Sequence, residues 1–253
     1  MNTMAEESRM LDSYYSKVPT IVKSCTKENL IWECNFLFGD VNLSGCQFLD
    51  IGGGAGLASF YAACAGASEV ICLEPESDGC TQGIRRDFDE ISSALGTNNT
   101  HLVNSTFQAY EAKSKKFGAV FLNASINHLD EPACVDILTS NDARNTYISL
   151  FRRMADLTQD NGLIIASDVS RHNVFSFLGL KNPIAPTIEW HKHQSPSTWA
   201  KLLREAGYED IKITWYTPRR LGAAGRVLLG NAAIACMMMS RFRVLARKLP
   251  KKA

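Results

Sequence analysis

Asp50-Ile51-Gly52-Gly53-Gly54-Ala55-Gly56 is the stretch on which the fold of this chain turns. It lies between a short apolar run, Gln47 to Ile51, and a small-residue helical stretch, Leu57 to Ala65. A chain that leaves a strand, turns sharply and lets a ligand lie on its backbone needs residues without Cβ. The next apolar run, Glu69 to Leu73, ends in Glu74-Pro75, with Glu74 18 residues beyond Gly56. A carboxylate at the tip of a second strand is placed to accept both hydroxyls of a ribose. Strand, glycines, helix, strand and acid in this order point to an adenosine cofactor. The plainer alternative is a ligand-free turn, in which repeated glycines carry only an entropy cost. A dinucleotide fingerprint, G-x-G-x-x-G, does not fit, because its third glycine would fall at Leu57 or Ser59.

Outward from this turn, strand and helix patterns alternate, which is the sign of a parallel sheet. Upstream, residues 8–38 read as one or two helices carrying Leu11, Tyr14, Tyr15, Leu30 and Phe36. Downstream come a helix over Ser77 to Leu95, strands from His101 and over Phe117 to Leu122, and an amphipathic helix over Asn141 to Leu157. A fifth strand covers Gly162 to Ser167. The rhythm breaks over 171–196, which holds three prolines and three histidines. It resumes with a helix from Ser197, a strand over Asp210 to Tyr216, a helix over Gly222 to Met239 and a last strand, Phe242 to Arg247. The expected fold is α/β: a Rossmann-like, seven-stranded, mostly parallel sheet with helices on both faces, a reversed last strand and a helical N-terminal cap. The expected division is a cap over residues 1–40 and a main domain over 41–253 with a lid at about 171–196.

The spacing acid-x-G-x-G-x-G resembles that of the class I S-adenosylmethionine-dependent methyltransferases, and the resemblance extends over about residues 45–248. It implies S-adenosylmethionine as cofactor. Asp50, Gly52, Gly53, Gly54 and Gly56 would cradle its methionine part and adenosine, and Glu74, followed by Pro75, would hold the ribose. The fourth strand would end near the sulfonium at Asn123-Ala124. Two positions depart from the family's usual pattern. An acid commonly follows the third strand, where this chain has Asn104-Ser105-Thr106, so Ser105 and Thr106 would meet the adenine. The fourth strand commonly ends in Asp, where this chain has Asn123.

Methyl transfer to oxygen or nitrogen needs alignment, exclusion of water and often a base. Ligands of such sheets gather at the carboxyl ends of strands. After the fourth strand, Asn127 and His128 are candidates for acceptor binding and for a base; a capping role for His128 stands equally well. After the fifth strand, Arg171 and the segment Glu189-Trp190-His191-Lys192-His193 are candidates. Were that segment extended, Glu189, His191 and His193 would share one face. A carboxylate beside an imidazole suits a general base, whereas lid residues holding one another by hydrogen bonds are the plain alternative. Glu189, His191 and His193 could also hold a divalent metal, but no metal is expected, since no fourth ligand accompanies them. Trp190 would wall the acceptor pocket, and Tyr14 and Tyr15 would approach it from the cap, although ordinary helix core accounts for at least one of them.

Composition narrows the function. Of 253 residues, 45% are hydrophobic and 21% charged, with a net charge of +1. A balanced chain of this kind has no field to draw in nucleic acid. The eight cysteines form no C-x-x-C pair and several lie in apolar runs, as expected of a reducing compartment. The opening Met1-Asn2-Thr3-Met4-Ala5-Glu6-Glu7 is polar and unlike a secretory leader, so a cytoplasmic location is expected. The expected partner is a small-molecule acceptor, O-methylated on a metabolite or sugar. The apolar stretch 222–239 reads most simply as core or a homodimer surface; with the basic tail after Arg241 it also fits a peripheral membrane contact. Three rivals remain: a nicotinamide-dependent dehydrogenase, a non-catalytic partner subunit on the same fold, and a methyltransferase of lipid-linked acceptors.

Overall fold

The computed structural model describes residues 3–75, 83–183 and 185–250. Cys80, the start of the helix expected from Ser77, and Lys251 and Lys252 of the tail lie outside the described residues. Among the described residues the strands form one seven-stranded sheet in the order β3-β2-β1-β4-β5-β7-β6. The chain divides into two compact units, residues 1–122 and 123–253.

The first unit opens with α1 (Thr3–Ile21) and α2 (Lys27–Phe38). Then follow β1 (Gln47–Ile51), α3 (Leu57–Cys64), β2 (Glu69–Leu73), α4 (Ile84–Leu95), β3 (Thr100–Val103) and β4 (Phe117–Asn123). β1 runs parallel to both β2 and β4, and β2 parallel to β3. β1 and β2 are buried along nearly their whole length, as in sheets covered on both sides. Helical spacing explains the packing. Tyr14 and Val18 on α1 meet Phe60 and Cys64 on α3 and Phe88, Ile91 and Leu95 on α4 in one apolar cluster. The N-terminal helices are therefore part of the same core that supports the glycine turn. Burial of each large side chain stabilises this unit by roughly 1.5–3 kcal/mol.

The second unit contains α5 (Glu131–Asp136), α6 (Asn141–Leu157), β5 (Thr158–Val169), the short α7 (Val174–Phe177) and α8 (Pro196–Glu205). It continues with β6 (Tyr208–Trp215), α9 (Gly222–Leu229), α10 (Ala232–Met237) and β7 (Arg241–Lys248). β7 lies antiparallel to both β5 and β6, the reversed last strand that the sequence suggests. Tyr147 and Phe151, four residues apart on α6, enclose Trp199 of α8 at ring distances of 5.1 and 5.9 Å. The single helix expected over Gly222 to Met239 is two helices. The Asn231 side chain accepts the Ile234 N–H and so starts a new helix directly after Gly230. No helix among the described residues is long and apolar enough to cross a membrane. The described cysteines are all free thiols, and burial pushes Cys34, Cys64 and Cys134 up to about 12, where they behave as inert small hydrophobes.

Candidate active site

The glycine turn has an inner and an outer side. Gly52 and Gly53 both donate their N–H to the Leu73 carbonyl, at 2.8 and 3.2 Å, which fastens the turn to the end of β2. A Cβ at Gly53 would stand 2.5 Å from Cys72 Sγ and 2.6 Å from Asp50 Oδ2, so the inner side is filled by protein. At Gly56, where φ is +78°, a Cβ would stand 2.7 Å from the Phe88 ring. Gly54 differs: φ is +54°, and a Cβ there would meet nothing within 4 Å. Glycine is thus required at Gly53 and Gly56 by close packing, and at Gly54 by backbone conformation on an open side.

The two acids named from the sequence take different places. Asp50 is buried, and its Oδ2 accepts the Ser59 hydroxyl at 2.7 Å, beneath the turn. Burial drives its carboxyl up to about 7, against the opposing effect of the Ser59 hydrogen bond and reinforced by Glu74. Glu74 stands at the tip of β2, just ahead of Pro75, and its Oε2 accepts the Gly54 N–H at 2.9 Å. The β2-tip carboxylate and the open glycine are therefore joined. After β3, the Thr106 side chain accepts the Ala109 N–H at 3.2 Å, and the Ser105 hydroxyl donates to the Thr106 carbonyl at 3.0 Å. Tyr14 is fully buried and its hydroxyl donates to the Leu57 carbonyl at 2.9 Å, so the ring is core and the hydroxyl holds the first residue of α3. Tyr15 is half-buried, edge-on to Tyr14.

In the second unit, Asn123 and Ala124 follow the apolar part of β4. Asn123 Oδ1 accepts from the Arg241 guanidinium at 3.1 Å. Ala124, at φ +53°, donates its N–H to the Ser167 carbonyl at 2.7 Å. Asn127 is buried, and its Oδ1 has no hydrogen-bond partner among the described residues, an acceptor that calls for a donor. His128 is exposed, with Nδ1 2.5 Å from Glu131 Oε1, and this imidazole holds the Glu131 carboxyl below its usual range.

The histidine segment departs from the extended arrangement. Trp190–Lys192 is a 3-10 turn, which rotates successive side chains by about 120° instead of alternating them. Glu189, His191 and His193 consequently do not share a face. Glu189 pairs instead with Lys192 at 2.8 Å, which lowers its carboxyl, and His191 is exposed. Trp190 is buried, and Arg171 donates to Gln194 Oε1 at 3.3 Å. His193 turns inward to Asp168, the buried acid at the end of β5, with Nδ1 3.0 Å from Oδ1 and 3.2 Å from Oδ2. The backbone around His193 is pinned: the Cys134 thiol donates to the Lys192 carbonyl at 3.3 Å, and the Gln194 amide donates to the Cys134 carbonyl at 2.6 Å. Asp168 Oδ1 also accepts the Val169 N–H at 2.8 Å. With Nδ1 as the donor to this carboxylate, a neutral ring leaves Nε2 as an acceptor. Asp168 escaped the sequence reading. Its signal is a carboxylate that follows the run Ile164-Ile165-Ala166-Ser167, the position that Asp50 holds near the end of β1. Among the described residues no group of three His, Cys, Asp or Glu side chains gathers as metal ligands.

A sheet of this order with a reversed β7, and an acid–glycine turn closing β1, define the class I methyltransferase fold. The chain belongs to the methyltransferase-domain family, whose pattern matches residues 28–213. Solved structures agree on the fold. An S-adenosylmethionine-dependent methyltransferase from Mesorhizobium loti is 15% identical, with a TM-score of 0.54 over 82% of this chain and 93% of that one. Another, from Thermotoga maritima, is 12% identical, with a TM-score of 0.54 over 98% of this chain and 100% of its own. No curated protein matches the chain.

Proposed function

We propose that this chain transfers a methyl group from S-adenosylmethionine to a hydroxyl of a small metabolite or sugar in the cytoplasm. The observation that carries this reading is the Asp168–His193 pair at the carboxyl end of β5, in a chain of the methyltransferase family. The residues fit the cofactor in two respects. Gly54 leaves its side of the turn open to a ligand, and Glu74 holds a carboxylate beside it. S-adenosylmethionine, when bound, supplies an electrophilic methyl carbon on a sulfonium. Glu74 would accept the ribose hydroxyls, the turn at Gly52 to Gly54 would carry the methionine part, and Ser105 and Thr106 would meet the adenine. Asp50 supports the turn from beneath.

His193 takes the base's role. Asp168 fixes its ring so that Nε2 receives the proton of the acceptor hydroxyl as the oxygen attacks. The buried Asn127 Oδ1 and the Arg171 guanidinium are suited to orient the acceptor. His128 and Glu189, both exposed and each held in an ion pair, and the exposed His191 are assigned no chemical step.

Calorimetric titration of the folded protein with S-adenosylmethionine and S-adenosylhomocysteine, with NADH as control, tests the cofactor. Binding of the first two and not the third is expected; no binding of either removes the cofactor assignment. Labelled methyl donor with a panel of hydroxylated and amine acceptors tests the chemistry. Transfer to amines alone would overturn the O-methyl assignment.

A further inference from the structure

The second unit carries a face whose composition the methyl-transfer chemistry does not use. Phe177, Leu178 and Leu180 are 75, 66 and 57% exposed, and Val227, Leu228 and Met237 are 85, 72 and 57% exposed. Large side chains left in the open, several on each of two segments, mark an interaction surface. The two segments that bear them are joined. The buried amides of Asn173 and Asn182 both donate to the Met238 carbonyl, at 2.8 and 2.7 Å, and Asn173 also donates to Ser240 Oγ at 2.9 Å. The stretch carrying Phe177, Leu178 and Leu180 is therefore clamped at both ends to the end of α10. α9, with Val227 and Leu228, leads into α10 through Gly230.

Charge selects the partner. The whole chain is balanced at +1, yet residues 169–188 and 211–253 contain no Asp or Glu at all, so every fixed charge within them is Lys or Arg. Lys181 is exposed directly after Leu180, and Arg219 and Arg220 are exposed on the turn that leads into α9. A second copy seated on this face by two-fold symmetry would set like charges against each other. A layer of acidic lipid headgroups would receive both the cations and the apolar side chains. We propose that this face, formed by α7 with the loop after it and by α9 and α10, seats the protein on the surface of an anionic bilayer. The contact is peripheral, since no described helix can span.

Co-sedimentation of the full chain with vesicles of phosphatidylcholine alone, or of phosphatidylcholine with phosphatidylserine, reads this directly. Binding to the anionic vesicles is expected to be about tenfold or more stronger than to the neutral ones, and to fall between about 0.1 and about 0.5 M salt. Val227→Glu with Leu228→Glu should weaken it about tenfold or more, with circular dichroism and S-adenosylhomocysteine binding unchanged. Lys181→Glu with Arg219→Glu, which leaves the apolar side chains in place, should weaken it by about fivefold or more. Absence of binding to anionic vesicles, or binding that neither pair of substitutions alters, would overturn the proposal. So would a dimer by light scattering that the Val227→Glu, Leu228→Glu variant converts to monomer, because the face would then be a contact between copies.

Discussion

Asp168 and His193, 25 residues apart in sequence, are joined through Nδ1 at 3.0 and 3.2 Å from the two carboxylate oxygens, with the Asp168 side chain 1% exposed. A buried carboxylate that faces one ring nitrogen decides what the other nitrogen does. His193→Ala is expected to lower kcat by about 10²–10⁴-fold while S-adenosylmethionine affinity stays within about twofold. Asp168→Asn leaves a ring of similar placement but no longer stabilises the protonated imidazole. A smaller loss of kcat is expected, again with S-adenosylmethionine affinity little changed. Single-turnover rates read both variants, and wild-type rates in both would return the pair to a structural role.

His191→Ala and Glu189→Gln make the opposite test. Both side chains face solvent, where the Glu189–Lys192 pair is screened and contributes little. Turnover and thermal midpoint close to wild type are expected for each. A large loss of turnover in His191→Ala would mean that the base had been assigned to the wrong imidazole.

The glycine turn offers a separation of stability from binding. Gly56→Ala meets both the left-handed φ of +78° and the Phe88 ring, and should destabilise the fold by about 3 kcal/mol in urea denaturation. Gly54→Val meets a φ cost of at least about 1–2 kcal/mol, but its Cβ would meet no atom within 4 Å. Its main effect should be on cofactor affinity, lowered about tenfold or more by occupation of the open side. Glu74→Ala, which removes charge-assisted hydrogen bonds, should weaken the same titration by a comparable factor.

Asp50 makes stability depend on pH in an unusual direction. Its carboxyl is raised from 3.8 to about 7, so between those values the unfolded chain has released a proton that the folded chain still holds. The stabilisation is full below about pH 4 and is lost as pH rises toward 7, at up to about 1.4 kcal/mol per unit. Asp50→Asn keeps an oxygen for the Ser59 hydroxyl but cannot titrate. The difference in thermal midpoint between the variant and the wild type should therefore move in the variant's favour as pH is raised from 4 to 7. A constant difference would show that the carboxyl ionises normally.

The strands were legible because each carries its own local signature, while their order and the reversed last strand followed from the family resemblance. Gln47 to Ile51 and Glu69 to Leu73 match to the residue, and the reversed Phe242 strand lies within β7. Helix ends that depend on one side chain were harder: Asn231 looks like any polar residue until its capping bond to Ile234 is seen. The glycines declared a turn, but not that Gly53 and Gly56 serve packing while Gly54 faces outward, since that depends on Cys72 and Phe88 arriving from elsewhere. The histidine segment misled because alternation assumes an extended backbone, and a 3-10 turn at Trp190 redirects His193. Its partner Asp168 is brought to it only by the fold.

Tyr14 reaches across 43 residues to the Leu57 carbonyl, and Lys17 across 77 to the Ala94 carbonyl. During synthesis, α1 emerges well before α3 and α4 exist to receive it. Until about residue 95 has been made, its apolar stripe is a helix with no seat, and the first unit can close only in one late, cooperative step. Long-range closure of this kind is slow, and its exposed intermediate is the point at which a crowded cell would find this chain most prone to aggregate.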